Sequence, residues 1–108
     1  MKRVLPAVVA CAAIVGCGGG GTNGADRDRA VTEAMDAYQG AKARGVDLAR
    51  GPCIAERLPG LPDWVADVAH DPRQPVDDDP ANQCSRYRAQ KAHHFVELDP
   101  SGKLIRAQ

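Results

Sequence analysis

A chain of 108 residues with fourteen basic and fourteen acidic side chains is long enough for one small domain. Its balanced charge offers no basic patch or Lys/Arg run for nucleic acid or anionic lipid. One Trp, one Phe and two Tyr make a thin core, and a domain of this size often needs a staple to hold it.

Met1, Lys2 and Arg3 open the chain with positive charge, and residues 4–15 form an almost wholly apolar run without a charge. This is the layout of a secretory signal peptide. The run falls short of the roughly 20 apolar residues that a membrane-spanning helix needs, contains Pro6 and ends in glycines. An ordinary secretory signal closes on small residues of the Ala-x-Ala type and needs no cysteine. Here the close reads Ile14, Val15, Gly16, Cys17.

That close resembles the lipobox of bacterial lipoproteins, with an aliphatic residue three positions before the cysteine and a small one directly before it. The resemblance is confined to residues 1–17. It implies that the Cys17 thiol receives a diacylglyceryl group, that the peptide is cut between Gly16 and Cys17, and that the lipidated cysteine becomes the new N-terminus. Two or three acyl chains on one residue make a firm anchor, since each buried methylene adds about 0.8 kcal/mol. Gly18, Gly19, Gly20 and Gly21, then Thr22, Asn23 and Gly24, have little to bury and read as a flexible tether between lipid and domain. The expected organisation is a signal peptide over 1–16, a lipidated tether over 17–25 and a folded domain over 26–108. Loss of Lys2 and Arg3 lowers the basic count from fourteen to twelve against fourteen acids, so the mature chain is faintly acidic.

On this reading Cys11 leaves with the signal and Cys17 is consumed by lipid, which leaves Cys53 and Cys84 as an even pair in an oxidising setting. A disulfide between them is the simplest accounting. It contributes roughly 3 to 4 kcal/mol in the chain-entropy view. No Cys-x-x-Cys spacing favours redox or zinc chemistry instead.

Residues 26–44 place Val31, Ala34, Met35, Tyr38 and Ala41 at steps of three and four, with acids early and Lys42 and Arg44 late. This predicts an amphipathic helix matched to its dipole, with Gly45 as its stop. Residues 46–51 read as an extra turn or a short extended piece. Residues 51–62 read as an irregular connection, with a helical turn over 54–58 as an option. Between Pro62 and Pro72, residues 64–70 predict a short strand whose Trp64, Ala66 and Val68 face is buried. A proline-broken acidic loop follows over 71–79. Asp79 before Pro80 then predicts a short helix running through Cys84 and Tyr87. Two apolar runs around Asp99, Pro100, Ser101 and Gly102 predict a hairpin of 95–98 with 104–107, with Asp99 opposite Lys103. The expected fold class is α+β: an N-terminal helix laid on a small antiparallel sheet of about three strands, held by the disulfide.

His70 ends one predicted strand while His93 and His94 begin another, so His70 with one of the pair, joined by Asp67 or Asp71, makes a weak candidate metal site. No His-x-x-x-His or His-Glu-x-x-His spacing supports it. Asp77, Asp78 and Asp79 invite a calcium reading, but the EF-hand pattern is absent and a solvated acidic loop explains them. No nucleophile elbow, unpaired mature cysteine or phosphate-cradling loop points to an enzyme or a cofactor. The chain therefore reads as a lipid-anchored extracytoplasmic binding or interaction module, with the loop of residues 71–84 as its contact region. It would be tied to the cell membrane through Cys17, facing outward, with a protein partner in the envelope. The alternatives are a metal-binding envelope protein using His70 with His93 or His94, and a structural envelope component.

Overall fold

The computed structural model describes residues 24–108, so the expected signal peptide, the expected lipobox at Cys17 and most of the expected glycine tether lie outside the described residues. Helix α1 runs Gly24–Ala43, starting two residues before the expected domain boundary. Its buried face is Ala30, Ala34, Tyr38 and Ala41, with Val31 and Met35 packed along the flank. Small alanines at the centre let the helix axis lie close to the sheet, while the larger side chains seal its sides. The helix stops as expected at Gly45, which adopts φ +78. Its amide bonds Lys42 O at 3.1 Å and the next amide, of Val46, bonds Ala41 O at 3.0 Å. The pair of bonds is a Schellman closure.

Four strands follow: β1 Cys53–Ala55, β2 Trp64–Val68, β3 His94–Leu98 and β4 Leu104–Ala107. They lie side by side in sequence order. The α+β class and the hairpin of β3 with β4 are as expected, but the sheet is mixed and has one strand more. β1 pairs antiparallel with β2 and β4 with β3, whereas the central β2 and β3 run parallel. The extra strand is only three residues long and lies where a helical turn was an option, so it leaves no periodic signal of its own. The parallel pairing has its reason in the connection: residues 69–93 are long enough to cross the sheet and return to the same end, which a hairpin cannot do.

That crossover also covers the face of the sheet turned away from α1. Trp64, Ala66 and Val68 join Val96 and Leu98 under the helix, as the alternation predicts. Val65 on the other face is equally buried, packed with Cys84, Ala92, Cys53 and Phe95. The predicted single helix through Cys84 and Tyr87 is instead two pieces. A 3-10 turn, Pro80–Asn82, is capped by Asp79 and followed by an extended Gln83. The four-residue α2, Ser85–Arg88, comes next. The Cys53–Cys84 disulfide sits at this break, with Cα atoms 4.8 Å apart, and ties the crossover to β1. Among the described residues no helix is long and apolar enough to cross a membrane.

The hairpin turn is built around Asp99, whose Oδ1 accepts from the amides of Ser101 and Lys103, each at 2.9 Å, and from Ser101 Oγ at 2.7 Å. Asp99 faces Lys103 as expected, its amide donating to Lys103 O at 2.7 Å while its carboxylate accepts from the Lys103 amide. The Lys103 amide leads the contacts that hold this carboxyl below the usual range. Gly102 takes φ +90, and a Cβ there would sit 2.9 Å from the Tyr38 ring. Tyr38 in turn donates its hydroxyl to Pro100 O at 2.9 Å. The helix therefore docks onto the turn through one aromatic residue. Gly102→Ala is expected to destabilise the fold by about 1 to 3 kcal/mol through a strained φ and this contact, and Tyr38→Phe by about 1 kcal/mol. Urea unfolding of both variants checks this. A Gly102→Ala protein as stable as the parent rules out the docking account.

Candidate functional site

Parallel pairing sets Asp67 of β2 directly beside Glu97 of β3. Adjacent strands lie about 4.8 Å apart, and residues in register point to the same face. Both acids are therefore on the face away from α1, in line with Val65 and Phe95 one step earlier. Like charges directly opposite one another destabilise a sheet, and burial makes that worse. Their surroundings are unequal.

Glu97 is only 6% exposed and is well supplied with donors. Arg73 Nη1 lies 3.2 Å from its Oε2 and Arg106 Nε 3.6 Å from its Oε1. Arg73 is itself held by Asp78, at 2.9 Å, and by Asp77 O, at 3.2 Å. Arg106 lies over the Phe95 ring, 5.9 Å from its centroid. Asp67 has no such provision, for its Oδ1 is buried with no hydrogen-bond partner. Burial is the main force pushing this carboxyl up to about 7; the Glu97 charge adds to it, Arg73 opposes it, Asp77 raises it slightly and Arg106 lowers it.

Above the pair is a cavity of about 250 Å³. Val65, Asp67, Phe95 and Glu97 form the sheet side, and Gln83, Tyr87 and Arg88 line it from the crossover. Tyr87 meets Phe95 edge to face at 5.3 Å and remains 40% exposed, so the cavity has one apolar wall that solvent reaches.

The histidines do not form a shared site. Trp64 pairs with His94 while Val68 pairs with Leu98, so His70, beyond Val68, lies at the opposite end of the parallel pair from His93 and His94. From Trp64, level with His94, to His70 is six residue steps, roughly 20 Å of extended chain. His70 instead bonds Asp77 through Nδ1 at 3.0 Å. His93 Nδ1 bonds Asp63 at 2.8 Å, with His94 Nε2 3.6 Å from the same carboxylate, and His94 stacks on Trp64 at 4.9 Å. Among the described residues, Cys53, Glu56 and Cys84 are the ones whose ligand atoms come close together, but the two sulfurs are bonded to each other. Glu56 caps α2, accepting from the Ser85 amide at 2.9 Å and the Arg86 amide at 3.0 Å.

Asp77 is no solvated loop residue. It is 3% exposed and accepts from the amides of Gln74, at 2.8 Å, and His70, at 2.9 Å, besides the His70 ring. Burial opposes its charge, yet the Gln74 and His70 bonds outweigh it and hold the carboxyl below the usual range. Asp77 knots the crossover to the end of β2, which makes it a structural acid. The residues that sequence reasoning missed are Glu97 and the tie between it and Asp67. The available signal was one acid at the fourth position of each of two short, mainly apolar runs, Trp64–Val68 and His94–Leu98.

Comparison of the chain with protein-family models, with curated proteins and with solved structures finds no match.

The unequal acids make a pH signature. The Asp67 carboxyl ordinarily titrates at 3.8 and in the folded protein at about 7, so between these values the folded state holds an extra proton and stability falls as pH rises. Asp67→Asn removes that slope. Its stability is expected to match the parent at about pH 4 and to exceed it by about 4 kcal/mol at about pH 8. Denaturant curves across this range test it, and parallel pH profiles for the two proteins would refute the assignment.

Proposed function

We propose that the protein is a lipid-anchored extracytoplasmic binding module whose binding element is the cavity over Asp67 and Glu97. The observation that carries the binding element is the acid pair in register beneath that cavity, Glu97 buried and Asp67 with one buried, unpartnered oxygen, because two carboxyls side by side on a sheet weaken a fold that has no use for them. A cavity with an apolar wall and a few convergent polar groups is the ordinary form of a small-molecule site. The location rests on the charge, apolar run, lipobox-type ending and glycine tether in their order along the chain. The Cys53–Cys84 disulfide fits an exported protein, since such bonds persist in oxidising compartments.

The contact region moves accordingly. Asp77 and Arg73 within residues 71–84 are engaged in holding the crossover down, so that loop frames the site. The reading takes the protein as a binder.

Two measurements test the two halves. In the native host, Cys17→Ser is expected to move the protein from the membrane fraction to the soluble extracytoplasmic fraction; retention at the membrane would remove the anchor. For the pocket, amide NMR shifts of the full chain carrying Cys17→Ser, titrated with a fragment mixture, are expected to concentrate on Val65, Asp67, Phe95 and Glu97. Shifts confined to other surfaces would remove the pocket.

A further inference from the structure

The cavity has an uneven supply of charge, and that imbalance describes its ligand. Two carboxyl groups line it, Asp67 from β2 and Glu97 from β3. Three guanidinium groups face them: Arg73 from the crossover, Arg88 from α2 and Arg106 from β4. The unevenness lies between the two acids, because Glu97 faces two guanidinium groups. Asp67 receives none on its buried oxygen.

The protein's own cations are not placed to fill the gap. Arg73 is committed to Asp78, Glu97 and Asp77 O. Arg106 lies between Glu97 and the Phe95 ring. Arg88 is exposed on α2, at the rim. Beside the acid stands the exposed Tyr87 with its edge against Phe95, a wall that suits an apolar body and that also favours a nearby cation.

We propose that this cavity takes a small molecule bearing a protonated amine, with the ammonium group on the Asp67 carboxyl and an apolar body along Tyr87 and Phe95. The proposal rests on the pocket reading above and adds the ligand class. An ammonium group takes the place of the proton that Asp67 otherwise keeps, so binding releases that proton and strengthens as pH rises through 7. The apolar wall supplies contact area, while the carboxyl supplies the discrimination between amine and alcohol.

The test uses the full chain carrying Cys17→Ser and three probes of one shape: phenylethylamine, phenylethanol and phenylpropionate, followed by amide NMR shifts. Phenylethylamine is expected to shift the amides of Val65–Val68 and Phe95–Leu98. At about pH 8 it should bind at least about tenfold more tightly than the other two, and about tenfold more weakly at about pH 6. Asp67→Asn should abolish the preference for the amine over the alcohol. Tyr87→Ala, a change at an exposed position, should weaken both equally. If phenylethanol or phenylpropionate binds at these amides as well as the amine does, the pocket stands and the amine assignment falls. If none of the three moves these amides, both fall.

Discussion

The parallel pairing of β2 with β3 is the constraint on which the rest of the molecule depends. Two parallel neighbours cannot be joined by a tight turn, so the chain must leave β2, cross one face of the sheet and re-enter at the starting end. In a domain with α1 on one face, the crossover is what closes the other. It buries Val65, creates a second small core around Cys84 and Ala92, and leaves a cavity where the covering segments fit the sheet imperfectly. The same pairing puts Asp67 and Glu97 in register, so the site and the fold have a single origin.

A crossover of short 3-10 turns and one turn of α-helix has little apolar surface to hold itself down. Three polar or covalent ties do so at intervals. Asp77 binds its early part to the end of β2 through the Gln74 and His70 amides and the His70 ring. The Cys53–Cys84 disulfide fastens its middle to β1. Glu56 caps α2 from the same edge of the sheet. A buried acid that gains three donors strengthens the fold, whereas one that gains none weakens it. Asp77 and Asp67, both beside the crossover, are the two cases within one small domain, and this contrast separates structural acid from candidate ligand group.

Much of the secondary structure was legible because it is local. The steps of three and four in α1, the glycine at its end, and the Asp99 to Gly102 turn each express a backbone preference within a few residues. The cysteine pair was legible by elimination. The histidine site was read from sequence proximity to strand ends, and it failed because the direction of β2 relative to β3 decides which ends meet. Likewise β1 is a strand only because β2 lies beside it, and the helix expected over residues 80–87 breaks where Cys84 must reach Cys53.

The sequence by itself therefore determined the long helix and the C-terminal hairpin, which close on their own hydrogen bonds, together with the pairing of Cys53 with Cys84 and the α+β class. It also carries the export and lipidation reading, which depends on residue order rather than on a fold. The tertiary structure alone decided strand direction, the buried second face, the separation of the histidines and the meeting of Asp67 with Glu97. These are relations between segments far apart in the chain, set by which surfaces bury one another, and no local periodicity records them.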